Sequence, residues 1–241
     1  MKDILKPLKT ESLKEVFITR FEELILTGKI SIGQKLPPER ELAFQLGVSR
    51  PVVHEGLVEL AAKGLVTMKP RIGTIVNDYR TQGSLTILNS LINYQSGGLE
   101  AELLDSLLQT RILIEIETTR LASINRREEH LDEFRRILSM EEDASPEDID
   151  TITELDFAFH HLIGLASGNL VYPLLINSFR PVYMNFTSLF FTDPQVIPVT
   201  LDFHKKLVNA IAKNQEKQSV TIMREILDHG EKHLRTILSQ E

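Results

Sequence analysis

The chain has 241 residues, a formal net charge of -7, 42% hydrophobic and 25% charged residues, and no cysteine. This composition excludes disorder, collagen-like repeats and a disulfide-stapled scaffold, and the lack of cysteine excludes cysteine zinc sites and cysteine nucleophiles. The first residues contain no apolar core long enough for a signal peptide, and no apolar run approaches the ~18 residues of a membrane span. We therefore expect a soluble, cytoplasmic protein with no membrane partner.

The charge is unevenly distributed along the chain. Residues 1–80 contain 13 Lys/Arg and 10 Asp/Glu, a net +3, whereas residues 81–241 contain 14 and 24, a net -10. A mildly basic segment joined to an acidic one is typical of a tethered DNA reader, but so small an excess also arises by chance. Charge alone leaves DNA binding open.

The first helix has a clear start and end. Ser12 and Glu15 form the pattern of a capping box, in which the hydroxyl and the carboxylate each satisfy a free backbone amide. Apolar residues then recur at helical spacing, and Gly28 predicts the end of the helix.

Two further short helices follow at close spacing. Pro37-Pro38 predicts the start of a helix over 39–46, because proline lacks an amide that is not needed there. Ser49 is the predicted cap of a third helix, from about residue 50 to 63. Two short helices joined by a tight glycine turn predict a helix-turn-helix.

A β-hairpin completes the first domain. Residues 65–68 and 74–76 have the pattern of two strands, and residues 69–73 have that of the connecting turn. A helix-turn-helix followed by a hairpin predicts a winged helix. The predicted domains are a winged-helix domain over 8–78, a linker over 79–84, and a helical effector-binding and dimerisation domain over 85–241.

The second domain has helical periodicity almost throughout. With no useful strand alternation, the fold class is mainly α: a winged helix with a small β-hairpin wing, then an all-α bundle. The predicted helices carry Leu103–Ile112 and Leu131–Leu138, open at Ser145-Pro146-Glu147-Asp148, and then span about 171–179, 199–213 and 218–238, with breaks or kinks at Pro181 and Pro194.

Two pairs of residues in the predicted bundle are candidates for binding a metal ion or an anionic ligand. Asp156 and His160 are four residues apart, so they share a helix face and can chelate a divalent ion. Arg111 lies among apolar positions, where a lone cation is costly. Its partner is Glu115 one turn along, a carboxylate effector, or both.

The same Asp/His pair would also suit a metal-dependent hydrolase. The sequence contains no HExxH motif, no Gly-rich phosphate loop and no GxSxG elbow, and an enzyme would not need a winged helix. We therefore expect no enzyme activity and keep the hydrolase as the less favoured alternative.

Taken together, these segments resemble the GntR family of transcriptional regulators. The winged helix resembles that family's DNA reader, and the bundle resembles the all-helical FCD-type effector domain of its FadR branch. The resemblance rests on GQKLPPERELA at 33–43, LGVSR at 46–50, His54-Glu55, Leu57, GLV at 64–66, Arg111 with Glu115, DxxFH at 156–160 and ASGN at 166–169.

The resemblance implies a DNA-binding regulator, a repressor, that binds double-stranded DNA. Two readers related by a two-fold axis read a pseudo-palindromic operator, so we expect a homodimer. A recognition helix places its first residues at base edges, where an arginine fork on guanine discriminates by ~1–3 kcal/mol. The alternative is that Arg40 and Arg50 are solvated charges paired with nearby glutamates. The predicted DNA-binding residues are Arg40, Ser49, Arg50, His54, Lys69, Arg71 and Gly73.

His54 departs from the family, in which arginine is usual. A neutral imidazole offers one donor and one acceptor in place of a cationic fork, so the operator preference is expected to differ at that base.

The resemblance also implies a metal site with one ligand missing. Metal-binding members use such an Asp and His together with two further histidines on the last two helices. His204 matches the first of these, but the second falls at Ile226, which cannot ligate. His229, one turn on, is either a substitute ligand or a surface residue. Asp156, His160 and His204 remain the predicted ligands of zinc or a similar divalent ion.

The identity of the effector stays open between two classes. One is a small organic acid bound at the metal and Arg111, and the other is a fatty acyl-CoA, as in the branch's namesake, bound without metal. Residues 84–88, residues 166–172 and Ile226 favour the acyl-CoA, whereas the Asp/His set favours the acid. The predicted effector-binding residues are Arg111, Asn169, Tyr183 and Asn185.

Overall fold

The computed structural model describes residues 12–93 and 101–239 of the chain. The chain divides into two compact units, Met1–Gly98 and Leu99–Glu241. The first is a helical unit with one two-stranded sheet and the second is helical in its described part, so the predicted fold class is confirmed. No helix in the described ranges is long and apolar enough to cross a membrane.

The first unit contains the predicted winged helix. Its elements are α1 (Leu13–Leu26), α2 (Glu39–Leu46), α3 (Arg50–Ala62), β1 (Val66–Lys69), β2 (Gly73–Val76), α4 (Tyr79–Gln82), a 3-10 turn (Leu85–Ile87) and α5 (Leu88–Asn93). The strands are antiparallel, with Val66 opposite Val76 and Lys69 opposite Gly73. The capping box at Ser12 and Glu15 is present as predicted.

Helices α1 and α3 pack closely against each other in the core of the winged helix. Phe17 and Phe21 stack with ring centroids 4.3 Å apart, in a core that includes the fully buried Val53 and Leu57. A Cβ at Gly56 would lie 2.3 Å from Phe17 Cδ1. The glycine inside α3 is therefore needed for helix packing, which offsets its poor helix propensity.

The segment predicted as a linker is ordered and packs on the first unit. Residues 79–82 form α4, and Ile87 is buried in the reader core. Ser90 on α5 donates a 2.8 Å hydrogen bond to the buried carboxylate of Glu22. The polar sequence of 79–84 does not predict this packing, because the apolar residue that holds the segment in the core, Ile87, lies further along the chain.

The second unit is a bundle arranged around one buried helix. Its elements are α6 (Ala101–Asn125), α7 (Glu128–Asp143), α8 (Ile149–Ala166), α9 (Tyr172–Ser178), α10 (Arg180–Phe190), α11 (Val196–Ala212) and α12 (Glu216–Leu238). Helix α8 lies against α6, α7, α9 and α10. Its Phe159 and Ile163 join a core with Phe134, Leu207 and Ile211.

The starts of α8 and α10 differ most from the sequence prediction. Helix α8 begins after Asp148, whose carboxylate accepts a 3.1 Å bond from the Thr151 amide, and not at Ser145. Helix α10 was not predicted, because Pro181 was interpreted as a break. Pro181 instead stands in the first turn of α10, where its missing amide costs nothing.

Candidate functional site

The predicted base-reading residues lie at the start of α3 and on α2. Arg40 is exposed on α2, and Ser49 is the N-cap residue of α3. Within the described residues, the Ser49 side chain makes no capping hydrogen bond. The side chains of Arg50 and His54 are 73% and 55% exposed. These four groups are therefore available to a ligand on this face.

One carboxylate orients two of these groups. Glu39 at the start of α2 accepts a 3.2 Å bond from Arg50 Nε and lies 2.8 Å from His54 Nδ1. The hydrogen bond from His54, with the bond from Arg50, lowers the pKa of Glu39 below its ordinary value. The pairing of Arg50 with a glutamate is thus present, and it still leaves the guanidinium largely exposed.

The wing presents cations from a constrained turn. The Ile72 amide donates a 3.2 Å bond to the Lys69 carbonyl. Arg71 in this turn has φ 63°, a left-handed conformation that costs an L-residue roughly 1–2 kcal/mol. Gly73 has φ 117°, and a Cβ there would lie 2.8 Å from Lys35 Cε. Lys69 and Arg71 are both exposed.

The three predicted metal ligands come together in the second unit. Asp156 and His160 on α8 and His204 on α11 are buried, and one ligand atom from each lies within 4.8 Å of the others. His229 is outside this group, and Ile226 is buried in the adjoining pocket.

Both histidines have a carboxylate on the nitrogen that points away from this centre. His204 Nδ1 lies 2.9 Å from Glu141 Oε1, and His160 Nδ1 contacts Glu115 Oε2. Within the described part of the chain, both Nε2 atoms are buried without a hydrogen-bond partner, and so is His160 Nδ1, whose contact with Glu115 lacks hydrogen-bond geometry. At His204, the carboxylate on Nδ1 fixes the tautomer that presents the Nε2 lone pair to a metal. The donor set therefore fits a divalent ion.

A second network adjoins the triad. Arg111 Nε donates to Glu115 at 2.6 Å, and Arg111 Nη2 lies 3.3 Å from the Tyr183 hydroxyl, which donates to Asp156 at 2.5 Å. Burial raises the pKa of Glu115, but the charges of Arg111 and His160 outweigh burial and lower the pKa to about 2. Burial, reinforced by Asp156, raises the pKa of Tyr183 well above its ordinary value.

The charges of these groups do not balance without a further cation or protons. Three carboxylates lie beside the two histidines: Glu115 at His160, and Glu141 and Asp156 at His204. Among these described contacts, one guanidinium takes part, that of Arg111, which pairs with Glu115. Two protonated histidines would supply the missing positive charge, and so would one divalent ion beside neutral imidazoles. Burial lowers the pKa of His204, yet the neighbouring carboxylates, Glu141 first, outweigh burial and raise it. An uncompensated buried charge is costly, so these carboxylates are balanced either by protons on the histidines or by a bound cation.

Two adjoining pockets meet at Arg111 and His160. The first lies between α6 and α9–α10 and is lined mainly by apolar side chains, including Leu104, Leu107, Ile114, Ile176 and Val182. The second lies beside α12 and also reaches Asp156, Thr187, Thr200, Ile226 and His229. Together they form an apolar cavity with a polar inner end.

The structure brings two of the four predicted effector residues to this cavity. Arg111 and Tyr183 line it, whereas Asn169 and Asn185 are exposed and line neither pocket. Asn169 Oδ1 accepts a 2.8 Å bond from the Val171 amide and so caps the turn into α9. Sequence reasoning missed Glu141, because no local pattern pairs it with a histidine 63 positions away.

Comparison with known proteins agrees with both units. Residues 14–76 match the family described as bacterial regulatory proteins, gntR family, and residues 77–239 match the FadR C-terminal domain. A fatty acid metabolism regulator protein of Shewanella pealeana is 30% identical, covering 84% of this chain and 82% of the relative. An HTH-type transcriptional regulator of Mycobacterium tuberculosis is 30% identical, covering 97% and 96%.

Solved structures share the fold. Lar, which controls the expression of the Listeria monocytogenes agr system, has a TM-score of 0.65 at 16% identity, covering 95% of this chain and 99% of Lar. E. coli McbR/YncC has a TM-score of 0.54 at 18% identity, covering 94% and 99%. The resemblance seen in the sequence is therefore confirmed: the chain belongs to the GntR family of bacterial transcriptional regulators, with an N-terminal winged helix for DNA and a FadR-type C-terminal effector-binding domain.

Proposed function

We propose that the chain binds a pseudo-palindromic operator as a homodimer, acting in the cytoplasm, where bacterial DNA lies. The supporting observation is the exposed pair Arg50 and His54 in the first two turns of α3, both held by Glu39 at the start of α2. A recognition helix reads bases with its first residues, and two readers related by a two-fold axis read inverted half-sites. Arg40, Ser49 and the wing residues Lys69, Arg71 and Gly73 contact the flanking phosphates and grooves.

The operator is tested by selection. Genomic fragments retained by the purified full-length protein are sequenced, and we expect an inverted repeat with half-sites about one helical turn apart. Retention of fragments without any shared motif would contradict sequence-specific reading.

We propose that the effector is an acid or acyl thioester with an apolar chain. Its chain lies in the apolar pocket between α6 and α9–α10, and its polar end lies at Arg111, Tyr183 and His160. The fatty acid regulator among the relatives supports this class. A short, fully polar organic acid is the second candidate, because the metal triad lies at the same inner end.

A titration series separates the two effector classes. Fatty acids of increasing chain length, their CoA thioesters, and short di- and hydroxy-acids are titrated against the protein-DNA complex. An effector can shift operator binding only by its differential affinity for the two states. We expect acyl ligands to change operator affinity by about tenfold, or ~1.4 kcal/mol, and short acids to change it less. The reverse order would assign the site to the short acids.

We propose that Asp156, His160 and His204 hold a divalent ion such as zinc, which when bound would supply a positive centre for an anionic effector. Metal content of chelator-free protein is measured by mass spectrometry, with His160→Ala as the control that removes a ligand. Ile226→His adds the ligand that the family uses, and we expect it to tighten zinc binding at least tenfold. Absence of stoichiometric zinc in the parent chain, with none gained in Ile226→His, would contradict the assignment.

We propose that this metal centre is regulatory and not hydrolytic, in keeping with a family of transcriptional regulators. Zinc-loaded protein is incubated with ester and phosphoester substrates, and we expect no turnover above that of His160→Ala. Turnover lost in that variant would favour the hydrolase.

A further inference from the structure

A buried carboxylate in the winged helix joins three of its helices. Glu22 on α1 is 4% exposed. One of its oxygens accepts a 2.6 Å bond from Lys63 Nζ at the end of α3, and the other accepts a 2.8 Å bond from the Ser90 hydroxyl on α5. A buried carboxylate without partners is costly, so Glu22 favours the arrangement in which both partners stay in place. Helices α3 and α5 are therefore linked through one side chain.

Further contacts join the same end of α3 to the segment that leads into α5. The Ser84 amide donates a 3.0 Å bond to the Lys63 carbonyl. Gly64 has φ 79°, and a Cβ there would lie 2.0 Å from the Gln82 carbonyl oxygen. Ile87 is buried in the core of the winged helix. Because these contacts are close, a shift of segment 82–90 displaces the end of α3.

The opposite end of α3 carries the groups proposed to read DNA. Arg50 and His54 lie in its first two turns, and Gly56 packs on the Phe17 ring of α1 near the middle of the helix. A helix of 13 residues is about 20 Å long. With Gly56 as the point of contact, a shift of the helix end at Lys63 changes the positions of Arg50 and His54.

Helix α5 depends on its packing. It has six residues, too few for a helix that is stable in isolation. It is also the last element that the structure describes before the second unit, which begins at Leu99. A pull along the chain from the second unit therefore reaches α5 before it reaches α3. Short elements with few contacts are the ones that open at low free energy.

We propose that Glu22 is a positioning residue for DNA reading: it transmits the docking of α5 to α3, so that undocking of α5 shifts Arg50 and His54 and weakens operator binding. The proposal rests on the reading of DNA by those two residues proposed above, and it adds a control point inside the winged helix. The docked network orders α3 before DNA arrives, and preorganisation of this kind raises affinity.

Removal of the Ser90 hydroxyl tests the link. Binding of full-length protein to its selected operator is measured by fluorescence anisotropy at several salt concentrations, and exchange of α5 amides is measured by hydrogen-exchange mass spectrometry. We expect Ser90→Ala to speed exchange of α5 and to weaken operator binding by at least about fivefold, the lower end of typical coupling between sites. The salt dependence is expected to stay that of the parent, because no phosphate contact is removed.

Ser219 supplies the matched control. It is a buried serine of the second unit, and its hydroxyl donates a 3.0 Å bond to the Gln215 carbonyl. We expect Ser219→Ala to change neither operator affinity nor the exchange of α5.

A second variant shows whether the effect passes through Glu22 and not through a general loss of stability. Glu22→Leu removes both bonds and fills the space with an apolar side chain, while the Lys63 side chain, 21% exposed, extends to water. We expect Glu22→Leu to weaken operator binding as Ser90→Ala does. The two changes together are expected to weaken it no further, because residues that act through one network are not additive.

The outcomes separate the link from DNA reading itself. A parent chain that binds no operator would overturn the reading by Arg50 and His54 and this link together. A parent that binds, with a Ser90→Ala variant that leaves either operator affinity or the exchange of α5 unchanged, would overturn the link alone. Fully additive losses in the double variant would do the same, because the two residues would then act independently.

Discussion

Glu39 holds two exposed side chains at the start of α3 through its two carboxylate oxygens. Arg50 and His54 take one oxygen each, so their positions are coupled although they lie on successive turns. An acid so close to a DNA-facing surface reduces its positive charge, and it also restricts the rotamers of both partners. Orientation of this kind favours selective binding over tight, non-selective binding.

The departure at His54 predicts a change in operator preference. Replacing it by arginine adds a cationic fork beside Glu39, and a bidentate contact to guanine discriminates by ~1–3 kcal/mol. We expect His54→Arg to change the preferred base at one position in each half-site of a randomised operator library. An identical profile for both proteins would mean that residue 54 contacts no base.

Arg71 at the wing tip predicts opposite effects on stability and on DNA binding. Its φ of 63° suits glycine, so Arg71→Gly should stabilise the first unit by about 1 kcal/mol. The same change removes a cation, so we expect weaker DNA binding. We also expect the plot of log binding constant against log salt concentration to have a slope shallower by ~0.9. Hydrogen exchange and salt titrations measure the two effects. A slope equal to that of the parent chain would show that Arg71 touches no phosphate.

For individual residues, the sequence predicted which charged side chains belong to the site, but it predicted their partners less well. The pairing of Arg111 with Glu115 was predicted because the two are one helical turn apart, and the structure shows it. Glu141 was out of reach because its partner His204 lies on another helix. Asn169 was assigned to the effector, whereas its short side chain caps the following turn.

The contact between helices α1 and α3 leaves no room for a methyl group at Gly56. Gly56→Ala gains up to ~1 kcal/mol of helix propensity but forces a Cβ against the Phe17 ring, and such overpacking costs ~1–3 kcal/mol. We expect faster hydrogen exchange in α1 and α3.

Gly230 supplies the matched control for this substitution. It also lies inside a helix, α12, but a Cβ there meets nothing within 4 Å. Gly230→Ala should therefore slow exchange in α12 by up to the propensity gain. If both variants were stabilised alike, the account of the α1–α3 contact would be wrong.

Helix ends were predictable where a residue has a conformational reason. Gly28, Gly47 and Gly64 all adopt positive φ at the ends of their helices, as their places in the pattern indicated. Pro181 was ambiguous because proline both interrupts a helix and opens one. Only the packing of the residues after it, such as the buried Val182 and Thr187, distinguishes these roles.

Across the whole molecule, the two units carry different groups of functional side chains. The mildly basic first unit exposes its cations on α2, α3 and the wing, whereas the acidic second unit buries the cluster of Asp156, His160 and His204. Operator control requires that a ligand of the second unit change the affinity of the first, which is a coupling free energy of typically 1–3 kcal/mol.

Charge reversal on the reader tests the central claim that this is a DNA-binding regulator. Binding of full-length protein to its selected operator is measured by fluorescence anisotropy near 0.15 M salt for the parent chain and for Arg40→Glu with Arg50→Glu. Lys217→Glu with Arg224→Glu, a matched double reversal at exposed sites of the second unit, is the control. We expect the reader variant to lose at least 100-fold in affinity, or ~2.7 kcal/mol, and the control to lose little. Equal affinity of the reader variant and the parent would contradict the claim.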